Sequence, residues 1–196
     1  MKNFLAIDLE LNNNEENNLQ ERKIIQVGIA IGNIHQKQSD YYLAKWYINP
    51  HEPIYPFITN LTGITDDDVI NNSVSHSQIA MEISDLMDQY DCFVNPITWG
   101  GGDCDELKKE FKDRHVTFKK FGRREIDVKT LNTFLMLAQN KSTTSSLKSA
   151  MGKMKMNFIG TPHRADIDAS NTLALFFGIL RRQSKLEDFI ENVRLV

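Results

Sequence analysis

Apolar and β-branched residues predominate in three segments at the start of the chain, and these segments predict three consecutive β-strands. The predicted strands cover residues 4–9, 23–31 and 41–48. The first is nearly all apolar, as expected for a strand that is buried on both faces. A polar, asparagine-rich loop over 12–18 joins it to the second strand. Because the connections are short, we expect the three strands to form an antiparallel meander.

Beyond Pro56 the pattern changes to helices that alternate with short strands. Apolar residues at three- and four-residue spacing predict helices over 75–90, 105–115, 131–137, 145–154 and 165–182. Short strands are predicted over 92–99, with an interruption at Pro96, and over 125–128, and a serine-rich loop over 141–146. This order favours one α/β domain on a mixed sheet. We expect the domain to span 1–196, with a core over about 4–182 and a helical tail over 183–196.

Composition narrows the class of protein without indicating its chemistry. Hydrophobic residues make up 41% of the 196 residues and charged residues 25%, a globular mixture that excludes disorder, collagen and coiled coil. The sequence contains no apolar stretch of the length that a membrane span needs. Cys92 and Cys104 form neither a disulfide framework nor a metal motif, so we expect a reducing, cytoplasmic location and no membrane partner.

Positive charge is concentrated in one segment, although the net charge is −3. Between residues 108 and 124 only Glu110 and Asp113 are acidic, against eight basic residues: Lys108, Lys109, Lys112, Arg114, Lys119, Lys120, Arg123 and Arg124. Such a run is typical of a solvated helix and loop. The less common alternative is an electrostatic track for a phosphate backbone. The run alone does not decide between the two interpretations.

Two carboxylates interrupt the first predicted strand. Asp8 and Glu10 are two residues apart, so their side chains project from the same face. Burying two carboxylates side by side costs several kcal/mol unless a cation or a hydrogen-bond donor compensates. The pair therefore indicates either a metal site or a strand end that reaches solvent.

Further candidates for chemistry stand beside predicted helix starts. Asp103 follows three glycines, which allow a tight turn or the close approach of a ligand, although an aspartate there is also a favoured N-cap. His163 lies in a turn before the last helix, where a histidine is usually a surface residue. Asp168 falls in the first turns of that helix, on the apolar side, so its carboxylate needs a partner.

These segments together resemble the three motifs of the DEDDh (DnaQ-like) 3′–5′ exonucleases, in order and in spacing. The motifs are Asp8-Leu9-Glu10, Trp99-Gly-Gly-Gly-Asp103 and His163-Arg-Ala-Asp-Ile-Asp168-Ala. The resemblance extends to Leu61-Thr62-Gly63, to Ile24-Ile25-Gln26-Val27-Gly28 and to Phe158-x-Gly160-Thr-Pro-His163. The tryptophan and glycines before Asp103 resemble the corresponding motif of the small exoribonucleases of the Eri and KapD type. The resemblance implies an RNase H-like mixed sheet of five strands flanked by helices.

The resemblance also implies a mechanism and a site. Four carboxylates without cysteine ligands suit Mg²⁺ or Mn²⁺, and two ions about 4 Å apart would clamp the scissile phosphate. The implied general base is His163, and the implied metal ligands are Asp8, Glu10, Asp103 and Asp168. The enzyme would release nucleoside 5′-monophosphates from the free 3′ end of single-stranded RNA or DNA. Side chains implied or expected to contact the strand are Leu11, Leu61, Thr62, Lys108, Lys109 and Lys112.

Three alternatives remain at this stage. A catalytically idle relative would only bind nucleic acid or a partner protein, although all five active-site positions carry the required residues. A scavenger of short oligonucleotides would stall on long strands, which a processing enzyme would shorten. For Leu61, ordinary core packing is as reasonable as contact with a terminal base.

Overall fold

The structure is a computed structural model that describes residues 2–13, 22–143 and 146–194, with side chains described as far as residue 185. The strands are β1 (Phe4–Asn12), β2 (Lys23–Gly32), β3 (Tyr42–Tyr47), β4 (Ile97–Thr98) and β5 (Ile126–Asp127). The helices are α1 (Pro56–Thr62), α2 (Asp66–Asn72), α3 (His76–Gln89), α4 (Asp103–Asp113), α5 (Val128–Ala138), α6 (Leu147–Lys153) and α7 (Ala165–Arg194). Residues 14–18 and 144–145 of the predicted loops lie outside the described residues, as does residue 145 of the predicted helix over 145–154.

The strands form one five-stranded sheet in the order β3-β2-β1-β4-β5. The first three are antiparallel neighbours, which confirms the predicted meander. β4 lies parallel to β1, with Ala6 opposite Ile97, and β5 lies parallel to β4. The sheet is therefore mixed, as expected, and the centrally placed β1 has neighbours on both sides.

The fourth strand is shorter than the predicted segment over 92–99. Only Ile97 and Thr98 pair within the sheet, and Cys92 makes an isolated bridge to Asn3. Pro96 has no backbone N–H to donate to a neighbouring strand, so regular pairing begins after it. The prediction of a strand on both sides of Pro96 is wrong on the amino-terminal side.

Two helices before residue 75 were not predicted, and the last helix continues into the segment expected to be a helical tail. α1 begins at Pro56 and ends at Thr62, and its C-cap is Gly63, whose φ of 74° is favourable for glycine. α2 begins after Thr65, which forms a capping box with Asp68. Each has only seven residues, too few to show clear apolar periodicity. α7 continues past residue 182 as far as Arg194.

Strand β1 separates two hydrophobic clusters. Leu5 and Ile7 point into a cluster with α3 and α4, whereas Ala6 points into a cluster with α5, α6 and α7. Because strand side chains alternate, Asp8 and Glu10 share the face of Ala6 and point toward α7. No helix in the described part of the chain is long and apolar enough to cross a membrane.

The start of α7 packs directly on β2. A Cβ atom at Gly28 would lie 2.1 Å from the carbonyl carbon of Ala165, so only glycine allows this approach. Two residues earlier on the same strand, Gln26 accepts the backbone N–H of Ala165 through its side-chain oxygen at 3.0 Å. These contacts fix the beginning of α7 above the face of the sheet that carries Glu10.

Candidate active site

The first two acidic residues are placed by β1. Asp8 lies opposite Gly28, and Glu10 lies opposite Gln26, with a bulge between Glu10 and Leu11. Glu10 is only 8% exposed. The strand therefore presents two adjacent carboxylates toward α7, at the edge of a hydrophobic cluster rather than at a solvated strand end.

The third acidic residue is placed by the glycine turn before α4. Asp103 is the first residue of the helix, and the N-cap is Gly102, with a φ of 123° that a residue with a side chain rarely adopts. The interpretation of Asp103 as an N-cap is therefore wrong. The N–H of Gly100 donates to the Asp127 carboxylate at 3.0 Å, which fixes the turn. The Asp103 carboxylate remains available for another role.

The last two residues belong to the turn before α7 and to its first turn. The backbone N–H of His163 donates to Asp168 Oδ2 at 2.9 Å. His163 is exposed and has a φ of 61°, in the left-handed region. One potential ligand atom from each of Glu10, His163 and Asp168 lies within 4.8 Å of the others. The structure thus brings together side chains that are far apart in the sequence.

Crowding raises the pKa of each of the four carboxyl groups. The pKa of Glu10 rises to about 8 through burial and through the negative charges of Asp168 and Asp103. The pKa of Asp103 rises to about 7, first through burial and then through Glu125 and Asp127. Burial is also the largest cause for Asp8, whose pKa is well above its usual value, and for Asp168. These shifts show that negative charge in the cluster is poorly compensated.

The cluster fits a divalent cation. Burial and mutual repulsion both oppose ionisation of these carboxyl groups, and a bound cation would reverse the balance. The donor atoms are carboxylate oxygens with one imidazole nearby, a set that suits Mg²⁺ or Mn²⁺ better than a soft metal. Asp8, Glu10, Asp103 and Asp168 are the residues that would hold the metal.

A cleft of about 490 Å³ opens beside the cluster. Seven residues of its wall were not assigned to the site by the sequence analysis: Leu9, Trp99, Ser146, Leu147, Lys148, Phe158 and Pro162. Trp99 and Phe158 belong to the motifs that carry the family resemblance, so the sequence did contain a signal for these two residues. No pattern in the sequence placed Lys148, on α6, beside His163. The cleft combines aromatic surface with one cation and the acidic cluster.

The three residues expected to contact the terminal base and sugar have different surroundings. Leu61 is 40% exposed, so it is not a core residue. Leu11 is partly buried and packs against the hydrophobic cluster that β1 forms with α3 and α4. Thr62 is buried, and its hydroxyl donates to the carbonyl of Ile58 and accepts the N–H of Ile64. Within the described residues the wall of the cleft does not include these three, so their contact with substrate stays a prediction.

The basic run is divided among several surfaces. Lys108 and Lys112 line a groove with aromatic residues, whereas Lys109 lines a second groove together with Glu106, Glu110 and Asp113. Lys120 pairs with Asp88 at 2.8 Å. The run is therefore not one continuous track, and only some of its charges are free of nearby acidic groups.

Comparison with solved structures shows which proteins share this fold. The nuclease domain of 3′hExo, a DEDDh family member bound to rAMP, superposes with a TM-score of 0.78 at 19% identity, over 92% of each chain. Cell-death related nuclease 4 (CRN-4) has a TM-score of 0.75 at 15% identity, over 92% of this chain and 64% of its own. For E. coli Exonuclease I in complex with a dT13 oligonucleotide the TM-score is 0.70 at 14% identity. That match covers 96% of this chain and 43% of Exonuclease I.

The chain spans 61% of the full-length 3′-exonuclease that it also resembles, at 19% identity and a TM-score of 0.78. No curated protein matches the sequence. The family model of the RNase_T exonucleases matches residues 5–176. This range contains the four carboxylates of the cluster and His163. The expected RNase H-like fold is confirmed by the superposition with 3′hExo. Its motifs resemble those of the DEDDh group, and the chain belongs to the RNase_T family of exonucleases.

Proposed function

We propose that this protein removes nucleoside 5′-monophosphates one at a time from the free 3′ end of a single-stranded nucleic acid, with divalent metal ions. The observation that carries the proposal is the convergence of Asp8, Glu10, Asp103 and Asp168 beside His163. Glu10, His163 and Asp168 offer ligand atoms within 4.8 Å of one another. Charge repulsion links Asp8 and Glu10 to Asp103 and Asp168.

The four carboxylates would hold two Mg²⁺ or Mn²⁺ ions. When bound, such ions supply an activated water molecule and stabilise charge on the leaving oxygen. The carboxylates must give up their protons to serve as ligands, and a bound cation would favour the ionised form of Glu10 and Asp103, whose pKa values are raised. Without cations, the same carboxylates would repel a polyanion.

In this proposal His163 is the general base. A ring nitrogen lies near carboxylate oxygens of Glu10 and Asp168, and the backbone N–H of His163 donates to Asp168. An imidazole can serve as a base near neutral pH. The turn that carries His163 is held by contacts on both sides, to Asp168 and, through Ala165, to Gln26.

The cleft suits a terminal nucleotide. Its volume of about 490 Å³ lies within the range of about 300–1,000 Å³ that is usual for small-ligand sites. The rings of Trp99 and Phe158 offer surface against which a base can stack. Lys148 adds a positive charge to the same wall. In the neighbouring structures 3′hExo holds rAMP and Exonuclease I holds dT13, and both ligands are of the class that we propose.

The proposal is tested with 5′-end-labelled single-stranded RNA and DNA in Mg²⁺ or Mn²⁺. We expect a ladder that shortens from the 3′ end with time, and nucleoside 5′-monophosphates as the only small product by chromatography. Asp168→Asn is the matched control, because it removes one ligand charge and little volume. Release of nucleoside 3′-monophosphates would contradict the proposal. Short 5′-labelled products at the earliest time points would also contradict it, because they would indicate internal cleavage.

A further inference from the structure

The groove at the end of α4 is a surface that the acidic site does not use. Its lining consists of Lys108, Lys112, Val116, Thr117, Phe118 and Phe121. The groove has a volume of about 240 Å³, and none of its described lining residues is acidic. We propose that this groove binds the upstream part of the single strand whose 3′ end lies in the active site. The inference rests on the proposed function and adds a second site for the same substrate.

The floor of the groove is a stack of phenylalanine rings. The rings of Phe118 and Phe121 are stacked with centroids 4.8 Å apart and an interplanar angle of 13°. Behind them Phe118 contacts Phe111, which is fully buried. Aromatic surface beside a cationic groove is the usual platform for single-stranded nucleic acid, because every base has a face that can stack.

The loop that carries the rings is held in place by the segment before β4. The N–H of Gly122 donates to the carbonyl of Val94 at 2.7 Å. A Cβ atom at Gly122 would lie 1.9 Å from the Asn95 side-chain oxygen, so the loop passes close to the residues that precede β4. At the helix end, the N–H of Val116 donates to Phe111. A strand would therefore meet a formed surface and would not have to order it.

Charge complementarity identifies the occupant. Lys108 and Lys112 are one helical turn apart and line the same groove. Three acidic residues of α4, Glu106, Glu110 and Asp113, line a different groove together with Lys109. Two cations beside aromatic rings suit a phosphate backbone with exposed bases.

The helix that carries the groove, α4, begins at Asp103, a residue of the candidate active site. A helix rise of 1.5 Å per residue places Lys108 and Lys112 about 8 and 14 Å further along its axis. At about 3.4 Å per phosphate in a stacked strand, these distances correspond to roughly two to four phosphates. Helix rotation of 100° per residue also places Lys108 and Lys112 about 140° and 180° around the axis from Asp103. A strand that reaches both sites must therefore pass around α4, and it needs several nucleotides more than the axial distance alone requires.

The test measures binding of 20-nucleotide oligouridylate and oligothymidylate, with Ca²⁺ to prevent turnover, as a function of salt. The variant is Lys108→Gln with Lys112→Gln. We expect its log–log salt slope to fall by about 1.4, or about 0.7 for each lost contact with a single strand. The matched control is Lys119→Gln with Lys120→Gln, which removes two charges from the same run. Lys119 lines another groove with Asp85, and Lys120 pairs with Asp88, so the control slope should change by less than half as much.

Phe121→Ala tests the aromatic platform, and we expect the dissociation constant of the 20-mer to rise about tenfold. If that variant fails to fold, cross-linking of the unaltered protein replaces it. A 5-iodouridine is placed in turn at each of about the fourth to eighth positions from the 3′ end, and at least one of these should cross-link within residues 116–121, whereas a terminal 5-iodouridine should not. Equal slopes for both double variants, or cross-links only outside this segment, would overturn the inference. Binding is read without cleavage, so an inactive enzyme would contradict the proposed function and leave this test valid.

Discussion

The side-chain oxygen of Gln26 accepts the backbone N–H of Ala165 at 3.0 Å inside the protein. Gln26 is fully buried and lies directly opposite Glu10 on the neighbouring strand. Ala165 is the first residue of α7 and follows His163 by two positions. One hydrogen bond therefore joins the strand pair that carries Glu10 to the turn that carries His163.

Replacing Gln26 should damage catalysis more than its effect on stability explains. Gln26→Leu leaves the Ala165 N–H without an acceptor, which costs about 1–3 kcal/mol, and releases the turn before α7. We expect kcat to fall at least tenfold in enzyme that is still folded. Gln38→Leu is the control, because Gln38 also bonds α7, through Ser170 and Asn171, away from the turn. If both variants have the same kcat, Gln26 has no special positioning role.

The stability of the metal-free protein should fall as the pH rises. The pKa of Asp103 is about 7 and that of Glu10 about 8 in the folded protein, whereas both groups lose their protons near pH 4 when unfolded. The native state binds more protons in this interval, so the free energy of unfolding must decrease with increasing pH. Urea unfolding in EDTA at pH 5, 6, 7 and 8 measures the decrease. Added Mg²⁺ should restore more stability at pH 8 than at pH 5.

Asp8→Asn should separate catalysis from stability. The variant removes a ligand charge, so we expect turnover in saturating Mg²⁺ to be lost. It also removes one of four repelling carboxylates, so the metal-free protein should be at least as stable as the unaltered one at pH 7.5. Near-normal turnover, or a large loss of stability in EDTA, would show that the carboxylate is not part of a metal site.

His163→Ala tests whether the imidazole is a base or a ligand. Loss of a general base usually costs about 10²–10⁴ in rate, and metal affinity by calorimetry should stay within a few-fold of normal. Asp168→Ala serves as the comparison, because it removes a proposed ligand and also the acceptor of the His163 N–H. A loss of metal affinity equal to that of Asp168→Ala would make His163 a ligand instead.

The strand meander, the helix periodicity and the five candidate site residues could be predicted because each has a local signal. Asp8 and Glu10 are charges in an apolar strand, and α7 shows apolar residues at helical spacing. α1 and α2 escaped prediction because capping at Pro56, Gly63 and Thr65 defines them, rather than periodicity.

The wall of the cleft could not be predicted, because it depends on long-range packing. Lys148 reaches the site only through the placement of α6 against α7. The same holds for Gln26, whose role becomes visible only when α7 is seated on β2. The basic run was visible in the sequence, but its division into separate surfaces follows from the helical rotation of α4 and the path of the loop after it.

The most direct test of the central claim compares initial rates on three 20-nucleotide single strands of the same sequence, in Mg²⁺. One strand is linear with a 3′-hydroxyl, one carries a 3′-phosphate, and one is circular. A cleft that takes one terminal nucleotide beside the acidic cluster predicts rapid stepwise release of nucleoside 5′-monophosphates from the first strand only. The 3′-phosphate should slow cleavage by at least tenfold, and the circle should remain intact. Cleavage of the circular strand at a rate similar to that of the linear one would contradict the account and indicate an endonuclease.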